Sequence, residues 1–195
     1  KDHTCGWLYI NKPEDFQKIP SSPIAYWASK EIIDAFNSNE KLEQYADCRI
    51  GLQTSDTKRF LRLWHEVNLG KIAFKIKNRN DALKSQKKWF PYNKGGDYRK
   101  WYGNNEYVLM WREDKRTEMS NKKGHVRPSQ HLYFLPTIEW SLISSGKFGA
   151  RVSKQGVLND VASHYLQSDS ELINYTAMGI FNSKLGHFFL SLLNP

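Results

Sequence analysis

Apolar positions change their spacing along this chain. Ile24, Trp27, Ala28, Ile32, Ala35 and Phe36 recur at three and four, the spacing that gathers side chains on one face of an α-helix. Ser21-Ser22-Pro23 stands before them as a cap followed by Pro at the first helical position, and Asn37-Ser38-Asn39 ends the run. From Cys48 onward the runs shorten. Phe60, Leu61, Leu63, Trp64 and Val67 predict a strand. Ile72, Phe74 and Ile76 alternate with Lys71, Lys75 and Lys77, which predicts a half-buried strand with a basic outer face. Residues 107–111 and 138–143 predict further strands, and Gly51, Gly70, Gly95-Gly96, Gly103, Gly124, Gly146 and Gly149 punctuate them. The polar stretch 112–127 predicts an exposed loop carrying Arg112, Lys115, Arg116, Lys122, Lys123 and Arg127. The apolar run 176–181 predicts extended chain, and Asn182-Ser183 caps a helix through Leu185, Phe188, Phe189, Leu192 and Leu193. The pattern as a whole predicts an α+β fold: an irregular, loop-rich mixed sheet with an N-terminal helical arm and a C-terminal helix. A boundary is expected near residue 45, dividing an arm, 1–45, from a domain, 46–195.

Charge sharpens this picture. The net charge is +9, yet 57–127 alone holds 19 Lys and Arg against 7 Asp and Glu, while 1–56 is net acidic and 128–195 is balanced. A basic block of that kind is the footprint of a polyanionic partner. A solubilising surface is the alternative, but solubility does not need rings interleaved with the charge, and aromatic residues make up 14% of the chain. There is no basic amphipathic helix or long apolar run, which argues against a membrane. Cys5 and Cys48 are too few for a disulfide framework or a zinc site. The chain opens on Lys1 without Met or a signal pattern and closes on Pro195; the expectation is a piece of a longer, cytoplasmic protein.

The densest candidate is 87–104. Lys87, Lys88, Lys94 and Lys100 supply phosphate contacts, Trp89 and Tyr92 offer rings to a base, and Asn93 and Arg99 carry donors and acceptors suited to base edges. Gly95-Gly96 would let the backbone approach phosphate closely. The alternative is that the rings are core and the lysines their solvated neighbours. A second candidate is a polar turn entering a strand, with Gln53, Thr54, Ser55, Lys58, Arg59 and Arg62. A third, 144–151, contains Lys147 but lacks the spacing of a phosphate-cradling nucleotide loop.

Several of these stretches carry a resemblance. Ile19-Pro20-Ser21-Ser22-Pro23-Ile24-Ala25-Tyr26-Trp27, Gly51-Leu52-Gln53-Thr54 with Arg59-Phe60, and Lys88-Trp89-Phe90-Pro91-Tyr92-Asn93-Lys94-Gly95-Gly96 are the first of them. Arg99-Lys100-Trp101-Tyr102-Gly103-Asn104, Trp140-Ser141 through Phe148, and 179–185 continue it. Together they resemble the region after the catalytic domain in PglX-type adenine-specific DNA methyltransferases of bacterial BREX phage-exclusion systems, relatives of restriction-modification enzymes. The resemblance implies a target-recognition segment that grips double-stranded DNA. The catalytic domain of the same parent chain would use S-adenosylmethionine to methylate adenine N6. The family's Asn-Pro-Pro-Tyr motif and glycine-containing cofactor motif are absent from these 195 residues. No catalytic residue, metal ligand or cofactor is therefore assigned here, and the pocket for a flipped adenine is expected elsewhere.

Other classes remain open on the residues alone. Asp97 with Glu113-Asp114-Lys115 superficially fits a metal-dependent nuclease, although ordinary solvation explains that run as well. Six histidines, at 3, 65, 125, 131, 164 and 187, share no ligand spacing. A single-stranded nucleic-acid or RNA-binding module would satisfy the same charge and rings. A structural or partner-docking module is the other class, with the arm 1–45 docking against the missing catalytic domain it adjoins.

Overall fold

The computed structural model describes residues 6, 9, 10, 12–37, 40–143 and 146–193. Expectations that rest on His3, Cys5, Ser38-Asn39, Ser144-Ser145 and Asn194-Pro195 lie outside the described residues. The elements run α1 (Pro13–Phe16), α2 (Lys30–Ala35), β1 (Asp47–Arg49), α3 (Thr57–Phe60), β2 (Leu61–Leu63), α4 (Arg79–Lys84), β3 (Trp89–Asn93) and β4 (Tyr107–Met110). They continue with α5 (Glu113–Ser120), β5 (Thr137–Ser141), β6 (Ala150–Ser153), β7 (Leu158–Asn159), β8 (Ser163–Gln167), α6 (Glu171–Asn182) and α7 (Lys184–Leu193). The fold is α+β, and the chain divides into two compact units: Lys1–Gln44 with Ser183–Pro195, and Tyr45–Asn182.

In the first unit α2 and α7 share a small apolar core of Ile19, Ala25, Ala28, Ile33 and Leu192, with Phe36 meeting Phe189 edge to face at 5.3 Å. The N-terminal helix is shorter than its periodicity predicts. Ser21 and Ser22 adopt φ of 67° and 49°, so they make a left-handed turn instead of a cap, and the helix begins only after Ser29. The closing helix starts where expected: the Ser183 hydroxyl accepts the Gly186 amide at 3.0 Å.

The second unit holds two four-stranded sheets among the described residues. The first is antiparallel, in the order β1-β8-β5-β6, and α6 packs on β5 and β6. The second runs β2-β4-β3-β7, mixed because β7 joins β3 in parallel. Its inner face contributes Leu61, Phe90, Tyr92 and Leu109 to the main core, where Trp111 meets Phe90 at 5.6 Å and Phe134 at 5.1 Å. Its outer face carries Trp89 and Val108 under Ile72, with Met110 and Val67 beside them.

A buried polar cluster fastens one sheet to the other. Arg151 of β6 donates to Glu139 of β5 at 2.8 Å, and Glu139 also accepts from Ser163 and from Asn93 of β3, each at 2.9 Å. Both charges are almost wholly enclosed, so each depends on the other and on these hydrogen bonds.

Four predicted elements differ. Of the strand expected over 60–67 only Leu61–Leu63 forms, because Phe60 closes α3 and Trp64–Glu66 make a tight 3-10 turn. No strand forms over 71–77. Lys71 ends a tight turn, Ile72 makes one bridge to Trp89, and Ala73 is buried beside it, so burial there does not alternate. The polar stretch 112–127 contains helix α5, in which Met119 is buried; with so few apolar positions, the helical period has nothing to register. Residues 176–181 lie inside α6, whose Ile173, Ala177 and Phe181 face Trp140 and Leu166 at a spacing of four. That period shows only when the window starts before 176.

Candidate nucleic-acid interface

Backbone packing fixes the 51–62 segment first. A side chain on Gly51 would place its Cβ 2.1 Å from the Asn159 carbonyl, so only glycine fits. Leu52 N donates to Asn159 O at 2.8 Å, and Gln53 pairs with Val126 at 2.9 Å. Gln53 is half-buried, Thr54 is buried, and Ser55 turns outward with φ of 60°. Asp56 then caps α3 by accepting the Arg59 amide at 3.0 Å, while its second oxygen holds Lys122 at 2.9 Å. Lys58 and Arg62 are exposed, and the Arg62 guanidinium donates back to the Lys58 carbonyl at 2.8 Å. Arg59 makes a fork with Glu118 of α5, at 2.8 and 3.3 Å. Held by Arg59 and by Lys115, the Glu118 carboxyl is pulled down to about 2.

The 87–104 segment separates into an accessible start, a buried strand and a packed loop. Lys87 is exposed, and Lys88 is half-buried with its ammonium 5.2 Å over the Trp89 ring. Trp89, Tyr92 and Asn93 are turned inward. Tyr92 donates to the Leu52 carbonyl at 3.1 Å and to Asp160, and burial raises its hydroxyl pKa far above the usual range. The Asn93 amide is spent on Glu139 and on Ser153 at 3.0 Å. These three side chains, with Thr54, are buried and support the site from behind. The cause is that β3 is covered on both faces, which residue type does not reveal.

Gly95 is needed for a contact inside the fold: φ is +79° and a Cβ would lie 2.6 Å from the Ala162 carbonyl, so no phosphate approaches there. Lys94 is half-buried, 5.8 Å over Tyr107. Arg99 is exposed. Lys100 donates to the Asn182 carbonyl at 2.6 Å, a cation satisfying the end of α6. Lys147 is exposed, and its neighbours Ser144-Ser145 are outside the described residues.

Three basic segments distant in sequence converge on one hollow of about 310 Å³, lined by Arg59, Lys88, Met110, Arg112, Asp114 and Lys115. Arg112 and Lys115 reach it because α5 begins there. Asp114 lies 3.4 Å from Arg112 and 3.6 Å from Lys115. Four cations thus stand against two carboxylates, Asp114 and Glu118, leaving a net positive, open concavity. Glu113 and Lys115 occupy the first turn of a helix, and Lys115 is bound to Glu118 at 2.8 Å. Among the described residues no three His, Cys, Asp or Glu side chains are grouped to hold a metal ion, and no helix is long and apolar enough to cross a membrane.

Over 199 residues, 97% of this chain, the sequence is 38% identical to the adenine-specific methyltransferase PglX of Lacticaseibacillus casei (strain Zhang). It is 36% identical over 185 residues, 93% of the chain, to the adenine-specific methyltransferase BrxX of Escherichia coli O9:H4 (strain HS). The chain is homologous to part of the PglX and BrxX methyltransferases. It spans 16% and 14% of the length of these two relatives, so it corresponds to one segment of a PglX-type protein. No family model matches it. The PglX-type likeness runs through both candidate segments, 51–62 and 87–104.

Sequence reasoning placed Arg112 and Lys115 in a loop that assists, without naming them as site residues. Their signal was there, as cations in a polar run, but the helix that aims them was not. Trp64, Phe74 and Lys154 were missed altogether, and Tyr102, inside the candidate segment 87–104, was not singled out as a site residue. They line a second hollow in this unit, and nothing in the local pattern marks their exposure.

Proposed function

We propose that this chain is the target-recognition segment of a cytoplasmic, S-adenosylmethionine-dependent DNA adenine N6-methyltransferase of the PglX type, acting in phage exclusion. Its task is to hold double-stranded DNA while another part of the same protein performs methyl transfer. The observation that carries this reading is the convergence of Arg59, Lys88, Arg112 and Lys115 on one open hollow. A duplex presents a regular row of phosphates, and cations drawn from three segments of a compact unit match such a row better than a single flexible tail would. The names of the two relatives supply the chemistry; this segment supplies the grip. Lys58, Arg62, Lys87, Arg99 and Lys147 are exposed cations able to extend the track. The arm 1–45 is proposed to adjoin the catalytic part of the parent.

The test is duplex binding by the full-length protein across a salt series. Replacing Lys88 and Arg112 with Gln should weaken binding to every sequence and flatten log K against log salt by about 0.9 per lost phosphate contact. Unchanged affinity and slope in that double variant would remove the proposal's support.

A further inference from the structure

The second hollow, of about 450 Å³, is lined on the sheet side by Pro91 and Tyr92 of β3 and by Tyr107 and Val108 of β4. Its rim carries Trp64, Phe74 and Tyr102, left 46%, 56% and 56% exposed. Large rings gathered half-bare around one concavity cost free energy in water and mark a binding site. The surroundings narrow the occupant. Lys154 stands 5.4 Å over the Tyr102 ring, and Lys94 sits against Tyr107. Among the described residues no acidic side chain lines the hollow, while Asn105, exposed at its wall, offers one amide donor group and one acceptor. Rings, an amide and flanking cations match a planar heteroaromatic base on an anionic backbone. An apolar protein segment would match the rings and leave the cations unanswered.

Placement adds a second reason. Val108 lines this hollow and Met110 lines the basic one, two positions apart on β4, so their separation is about 7 Å along the strand. A strand whose phosphates sit on Lys88 and Arg112 would present a neighbouring base to the hollow that Val108 lines.

We propose that the aromatic hollow accepts an extrahelical base of the bound DNA, stacked on Tyr102 and Trp64 with its edge on Asn105. This rests on the reading of the chain as a duplex-binding segment. It concerns a base other than the adenine that is methylated.

The test uses the full-length protein and two fluorescent duplexes of one sequence, perfect or with a single bulged thymine, a base the adenine-directed centre does not take. The bulged duplex should bind about tenfold tighter, the gain expected from stacking one base on protein rings. Tyr102→Ala and Trp64→Ala should abolish that preference yet leave the perfect duplex bound as before, which also reports that the variants fold. Tyr102→Phe should retain it. Equal binding of both duplexes, or a preference that survives loss of the rings, overturns the base pocket alone and leaves the hollow to a protein segment. Failure to bind either duplex overturns this inference together with the function it rests on.

Discussion

Gly51 and Arg151 show how little freedom single positions have behind the proposed interface. With a Cβ 2.1 Å from the Asn159 carbonyl, Gly51→Ala must displace backbone; a loss of about 1–3 kcal/mol or more is expected, read from urea denaturation of the protein. Arg151→Leu strands the Glu139 carboxylate in the core and should cost about 3–5 kcal/mol, with the two sheets loosening together. Neither residue reaches solvent, so both variants should affect DNA binding only through folding. Trp89, Tyr92 and Asn93 belong with them. Their types suit a nucleic-acid contact, yet each is buried, because Trp89 faces Ile72 and Val108 on one side of the sheet while Tyr92 and Phe90 face the main core on the other. A strand enclosed on both faces hides its ligand-like residues, and no single position announces that.

Helix α5 is the element on which the basic hollow depends. Its Glu118 ties Arg59 of α3 to Lys115, and the lowered carboxyl pKa sets a direction. A depressed acid stabilises the folded state above its unfolded pKa, near 4.5, and that contribution disappears as pH falls toward about 2. Wild type should therefore exceed Glu118→Gln in stability at neutral pH, the difference shrinking on acidification below 4.5 and in high salt. The same substitution removes a negative charge beside the hollow and frees two cations. DNA affinity at low salt should rise, by a factor on the order of 3–10, while stability falls. Opposite signs from one substitution separate the clamp from the grip. At the far end of the chain, Ser183→Ala should lower stability by about 1 kcal/mol through loss of the α7 cap, a feature already legible in the amphipathic run that follows it.

For the molecule as a whole, the sequence determined the α+β class, strands expected at 107–111 and 138–143 and found at 107–110 and 137–141, the closing helix and the concentration of positive charge in 57–127. These are properties of residue type and short-range period, and they survive without knowledge of distant contacts. The tertiary structure alone decided that 113–120 is a helix, that 71–77 is not a strand, and that Arg59, Lys88, Arg112 and Lys115 face one hollow. It also decided that Trp64, Phe74 and Tyr102 stay exposed while Trp89 and Tyr92 do not. The physical reason is that burial is set by what packs opposite a side chain. Those partners come from strands and loops tens of residues away, through pairings such as Arg62 with Val108 and Asn93 with Glu139, which no local window contains.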